Sequence, residues 1–255
     1  MAAQYRSEHD SVGEKAVPKD VYYGVQSLRA AENFHITGLT MHPELINSIA
    51  EIKKASAITN LEIGLLDKRV AEAIVHACDE IVSGKLHEAF IVDPIQGGAG
   101  TSLNMNANEV IANRAIELLG GQKGDYTLVN PNDHVNYGQS TNDVFPSAGK
   151  LTVLKLLVRA QIQLERLYKA LDAKAAEFDD VLKMGRTQMQ DAVPIRLGQE
   201  FRASARPSAG ISPASSGPRT RCAASTWAAP PSAPASTPTS SISAASSPTC
   251  PRSPA

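Results

Sequence analysis

The chain has 255 residues, 42% of them hydrophobic and 20% charged, with a formal net charge of −1. The mild acidity argues against a nucleic-acid partner, which needs clustered Lys and Arg, and no apolar run is long enough to span a membrane. These averages join two unlike parts: residues 204–255 hold 14 Ser, 12 Ala and 10 Pro, whereas all 26 acidic and 21 of the 25 basic residues lie in 1–203, leaving −5 there and +4 in the tail.

The N-terminus, MAAQYRSEHDS, is polar and predicts no secretory signal. Cys78, Cys222 and Cys250 make no disulfide framework. A reducing, cytoplasmic setting is expected, with Cys78 a buried, inert thiol.

Along the chain, Leu45, Ile49, Ile52, Ser56, Thr59, Ile63 and Leu66 recur at steps of four and three. That spacing predicts a helix with one stripe facing a core. Pro43 suits its first turn. Asp67 is expected to cap a helix through about Val82, with Gly84 as its stop. The loop DPIQGGAG precedes a third helix, TSLNMNANEVIANRAIELLG, ending at Gly120. Residues 121–139 read as a polar loop. A long helix is expected from about Asp143 to Phe178, with Leu157, Ala160, Leu164, Leu167 and Leu171 on one stripe. Such length implies a bundle, where neighbours stabilise it. KMGRTQMQDAVPIRLGQEF is the last ordinary stretch, with another helix expected near Pro194. No strand-rich region and no internal repeat is expected. The reading is therefore all-α: a helical N-terminal domain at 1–142, the start of a central helical bundle at 143–203, and a disordered tail at 204–255.

Three stretches share one design. They are Gly97 to Ser102, Gln139 to Asp143, and Gly185 to Gln188, each placed beside an expected helix start. Helix N-termini present unpaired N–H groups and a partial positive charge, and so bind carboxylate or phosphate. Glycines let the backbone approach a ligand. Ser, Thr and Asn before a helix are also ordinary caps, and the residues alone leave both readings open. GGAGTS has no Lys after its last Gly, so it is not a P-loop, and it completes no G-x-G-x-x-G. The six histidines show no metal-ligand spacing; His76 and His87 read as helix-surface or boundary residues, and His134, beside STND, is the one of interest. Asp133, Asp143 and Asp191 read as acids, bases or caps. No metal and no cofactor is expected.

At these motifs the chain resembles the aspartase/class II fumarase family. GGAGTSLNMNANEVIANRA, NPNDHVNYGQSTNDVFPSA and KMGRTQMQDAVPIRLGQEF carry the resemblance, in order and with family-like spacing, over roughly 5–203. Fumarases of the family typically read SSND and GRTH where this chain has Ser140-Thr141-Asn142-Asp143 and Gly185-Arg186-Thr187-Gln188; GGAGTS and QDAVP are also aspartase-like. The resemblance implies three mainly helical domains, a central bundle assembling into a homotetramer, and active sites that each draw on three subunits. It implies ammonia elimination from L-aspartate to give fumarate, without cofactor. It implies that Thr101, Ser140, Thr141, Asn142, Thr187 and Gln188 line the substrate site. Two alternatives are a fumarate-hydratase-like lyase, against which residues 141 and 188 argue, and a non-catalytic helical carboxylate binder. The family's base is a Ser in a later loop, G-S-S-x-M-P-x-K-x-N, and these 255 residues contain no such segment. The expectation is a chain without turnover.

The tail carries a second signal. Codons formed from the last base of one residue and the first two of the next, from Ser225 to Thr239, permit NMGGTAIGTGINAD. That string resembles the family's next motif, N-x-G-(A/G)-T-A-(V/I)-G-T-G-(L/I)-N-A-D, at about the family's distance from GQEF. A reading-frame shift is expected after Phe201.

Overall fold

The computed structural model describes residues 4–210. They fall into two units, divided after Thr152 within a helix. Helices dominate both, as the composition and periodicity require.

The first unit opens with a hairpin, β1 (Tyr5–Asp10) and β2 (Gly13–Pro18), paired antiparallel with Arg6 opposite Val17. The Asp10 carboxylate accepts the Val12 and Gly13 N–H groups at 2.9 and 3.1 Å and closes the turn. Helices α1 (Val25–Asn33), α2 (Pro43–Glu62) and α3 (Lys68–Val82) follow. Proline stands at the first position of α2, and His42 Nδ1 accepts the Glu44 N–H at 3.1 Å. Asp67 caps α3 by accepting the Arg69 N–H at 2.9 Å, and Gly84 follows the helix with φ +90°. Both features match the sequence expectation. A 3-10 turn at His87–Ala89 leads to the Gly-rich loop and α4 (Thr101–Leu118), after which Gly120 turns with φ +84°.

Helix α4 is the centre of this unit. It is buried nearly all round, from Leu103 to Ile116. Ile46, Ile49 and Ile52 of α2, Ile74, Cys78 and Ile81 of α3, and Val144 and Ala148 beyond it complete the core. A helix buried on every face has little water for its polar residues, which turn to partners within the protein. Asn106 does so by accepting the Ile91 N–H and donating to the Ala89 oxygen, both at 3.0 Å. Glu109 accepts the N–H groups of Gly24, Gln26 and Ser27 at 2.9 to 3.0 Å. It thereby caps α1, whose own cap position is a glycine.

Residues 121–139 form the expected loop, with a π-helical turn at Pro131–Val135. Helix α5 (Thr141–Glu177) then runs across the division between the units. In the second unit it is followed by β3 (Leu182–Thr187), β4 (Gln190–Arg196) and α6 (Leu197–Gly210). Phe178 and Phe201 pack with ring centroids 5.5 Å apart. Leu197 N–H donates to the Val181 oxygen at 2.8 Å.

Two features differ from the sequence expectation. The β1–β2 and β3–β4 hairpins stand where no strands were anticipated, because short polar strands carry little apolar alternation. No helix starts near Pro194: that residue lies in β4 opposite Met184, and α6 begins at Leu197. Residues 204–210 continue α6, and the rest of the expected tail lies outside the described residues. No helix of the described residues is long and apolar enough to cross a membrane.

Candidate active site

The Gly-rich loop is held by Asp93. Its carboxylate accepts the N–H groups of Thr37, Gly38 and Ile95 at 2.7 to 2.9 Å. Burial would raise its pKa, but the donors from Ile95, Thr37 and Gly38 outweigh that and hold it at about 2. The next residues continue the lock. Gln96 donates to the Asp93 main-chain oxygen at 2.8 Å and accepts the Leu103 N–H at 2.7 Å. One of the first donors of α4 is thus internally satisfied. Thr101 is the first residue of that helix and is exposed.

Gly100, with φ +71°, is in the left-handed region, and a Cβ there would overlap the Phe145 ring. The position is required twice, by its backbone and by the approach of α5. Phe145 lies in the first turns of α5, so the start of that helix is seated on the loop that starts α4.

Ser140 caps α5. Its main-chain oxygen accepts the Asp143 and Val144 N–H groups at 3.1 and 3.0 Å. Its hydroxyl accepts the Asn142 N–H at 3.3 Å. Thr141 is half-buried and Asn142 exposed. Thr141 Oγ1 accepts from Asn104 Nδ2 of α4 at 3.0 Å. The first two candidate motifs are therefore joined at two points: Gly100 with Phe145, and Asn104 with Thr141. Two helix N-termini start side by side with hydroxyl and amide groups at their openings, an arrangement suited to an anion.

The third motif is built differently. Thr187 and Gln188 belong to the second unit and stand at the tip of the β3–β4 hairpin, both exposed. Gln188 and Met189 form its two-residue turn with φ 50° and 63°. Tight hairpins demand left-handed residues there, a conformation that side-chain-bearing residues adopt at some expense. Gly185 sits at the bulge between Met184 and Arg186; a Cβ there would stand 2.8 Å from the Val193 oxygen. The chain presents Gln188 from a strained turn rather than from a helix start, which corrects the expectation of a third helix N-terminus.

His134 Nδ1 accepts the Asn130 N–H at 2.9 Å, which commits that nitrogen within the π-helical turn. His87 Nε2 lies 3.0 Å from both Asn47 Oδ1 and the Ile81 oxygen, at the boundary expected of it. Burial pushes the Cys78 thiol up to about 12, so it is unreactive as a thiolate. Cys222 and Cys250 lie outside the described residues.

Sequence reasoning missed Lys53, Asn104 and Asn136. Lys53 is fully buried and donates to Asn136 Oδ1 at 2.7 Å. Burial lowers its pKa to about 7. Two signals were present: a lysine one turn after Ile49 beside an apolar stripe, and asparagines at 104, 106, 108 and 113 in a helix that is otherwise apolar.

A family model described as Lyase matches residues 13–209. The chain belongs to this lyase family. Among its relatives, aspartate ammonia-lyase of Bacillus subtilis is 58% identical over 203 residues, which cover 80% of this chain and 43% of the relative. The native crystal structure titled fumarate lyase:delta crystallin from Brucella melitensis shares the lyase fold at 48% identity with TM-score 0.82, covering 88% of this chain and 52% of that one. Class II fumarase from Schistosoma mansoni matches at 39% identity and TM-score 0.74, over 81% of this chain and 44% of that one. The chain spans less than half the length of the curated lyases it matches.

Proposed function

We propose that this chain carries the substrate-side motifs of an aspartate ammonia-lyase, which converts L-aspartate reversibly to fumarate and ammonia. The observation that carries the reading is the pair of adjacent helix N-termini, where Thr101, Ser140, Thr141 and Asn142 offer hydroxyl and amide donors. In this reading a base takes the proton from the carbon beside one carboxylate. The charge that accumulates on that carboxylate is met by preorganised donors, as in an oxyanion hole. Thr187 and Gln188 contribute from a second motif, and Gln188 orients the substrate without titrating.

The 58% identity to the Bacillus subtilis enzyme supports aspartase rather than fumarase chemistry, as do Thr141 and Gln188. Residues 1–142 serve as the N-terminal lyase domain and 143–203 as the start of a central bundle. The half-exposed stripe of α5 supports assembly into a homotetramer, with three subunits contributing to each site. The setting is cytoplasmic. Turnover requires the G-S-S-x-M-P-x-K-x-N loop, which these residues lack.

Two measurements on the purified chain test the reading. Fumarate titration followed by NMR should shift the signals of Thr101 and Thr141, and an aspartate assay for fumarate absorbance should show no turnover. Fumarate that leaves both threonines unmoved removes the site; family-level turnover removes the requirement for the missing loop.

A further inference from the structure

Lys53 occupies the buried side of α2, one turn after Ile49, and is fully buried. A buried amine is unfavourable unless it is partnered. Its Nζ donates to Asn136 Oδ1 at 2.7 Å, and charged or neutral it carries N–H donors. The same Asn136 amide is held from its other end. Its Nδ2 donates to the Gln139 main-chain oxygen at 3.1 Å, a group that can only accept. An amine on one side and a carbonyl on the other leave the Asn136 amide a single orientation.

The consequence passes along the chain of bonds. Asn136 Oδ1 takes a second donor, Asn104 Nδ2, at 3.1 Å. The other hydrogen of that Nδ2 goes to Thr141 Oγ1 at 3.0 Å. Thr141 therefore accepts on its inner side. A hydroxyl has one proton, and that proton has no acceptor among the described residues. It is left for the open side, where α4 and α5 begin.

We propose that Lys53 is a positioning residue: through Asn136 and Asn104 it holds the Thr141 hydroxyl as an acceptor toward the core, so that its proton is presented to a ligand carboxylate. A second observation separates this from packing. Among the described residues Asn104 Oδ1, on the relay, is buried with no donor, as are Asn108 Oδ1 of the same helix and Gln139 Oε1, whose side chain donates to the Val135 oxygen outside the relay. Buried polar groups left unsatisfied are destabilising, and apolar residues of similar volume would fill the space at less expense. The polarity of the relay gives the Asn104 amide a reason to be there.

The proposal rests on the dicarboxylate reading of the site, and its test separates the two. Side-chain amide exchange is measured by NMR on the full chain for Asn104, with Asn106 and Asn113 of the same helix as internal references. Those two are fully buried and donate to the Ala89 and Tyr22 oxygens, away from the relay. Lys53→Met removes the donor at similar volume. Losing a hydrogen bond from such a group corresponds to about a tenfold change. Exchange at Asn104 should rise about tenfold while Asn106 and Asn113 stay unchanged. An equal rise at all three, or none at Asn104, overturns the relay. Should Lys53→Met fail to fold, Asn136→Leu cuts the relay one link further on and is read in the same way. Fumarate is titrated separately into both chains. A wild-type chain whose Thr141 signals ignore fumarate removes the site reading, whatever the exchange shows. Binding that weakens about tenfold in Lys53→Met, with Asn104 exchange raised, supports both.

Discussion

An alanine at position 100 would have to hold φ +71° and push its Cβ into the Phe145 ring. The first demand amounts to roughly 1–2 kcal/mol and the second to a further 1–3 kcal/mol. Gly100→Ala should therefore destabilise the chain by about 2–5 kcal/mol, seen as a lower urea midpoint with unchanged slope. A shift below about 0.5 kcal/mol would mean that Phe145 yields and that the two helix starts are not rigidly seated. Lys53 makes a different prediction. Its folded pKa, lowered by burial to about 7, is below the ordinary 10.5. Between those values the unfolded chain binds a proton that the folded one has released, so stability rises with pH across that window. Below pH 7 the full penalty of burying the charge is present. The neighbouring Cys78 thiol stays neutral throughout, since burial holds it up at about 12. The Tm of the natural chain should climb relative to Lys53→Met between pH 7 and 10; a constant difference would contradict the assignment.

Among the elements, α1 shows how one helix depends on another. Gly24 has no side chain to cap it, and the N–H groups of Gly24, Gln26 and Ser27 go to Glu109 of α4 instead, with that of Val25 going to Glu8. Burial raises the pKa of Glu109, while the Ser27 hydroxyl and main chain act against that rise. Glu109→Gln would turn an NH2 group toward those N–H donors. Hydrogen bonds to charged groups contribute about 1.5–3 kcal/mol, so a loss of about 2 kcal/mol is expected, with faster amide exchange in α1 than in α3. Uniform exchange across both helices would argue that Glu109 supports the whole unit rather than this one end. The β3–β4 hairpin shows the opposite case, an element whose tip is set locally, by two left-handed residues, Gln188 and Met189, that its two-residue turn requires.

At the scale of the whole molecule, α5 dominates. From Val153 to Lys174 none of its residues is buried, and Val153, Val158, Ile162 and Leu167 are about half exposed. An apolar helix face of this length marks an association surface. The purified chain should sediment as oligomers or aggregates, and Ile162→Glu with Leu167→Glu should move it toward monomer; a natural chain that sediments as a monomer would contradict this. The frame-shift reading belongs to the same scale. The coding DNA across Ser225 to Thr239 should spell NMGGTAIGTGINAD in the alternative frame, and other third bases there would remove the idea. A chain translated in that frame beyond Phe201 is expected to form fumarate from aspartate.

Much of this protein was legible from residues that act on their near neighbours. Asp67, Gly84 and Gly120 marked helix ends because caps and left-handed turns are decided within a few residues. The apolar stripe of α2 and the hydroxyl-rich starts of α4 and α5 were equally local, and so were the family motifs. The hairpins escaped notice because polar strands of six or seven residues resemble loops. What only the tertiary structure decided was which distant groups meet. Lys53 bonds Asn136 across 83 residues and Gly24 bonds Glu109 across 85. Such bonds form because packing removes water and leaves a buried donor no other partner. Periodicity placed Lys53 beside a hydrophobic stripe; only the packed core turned it into the start of a relay that ends at Thr141.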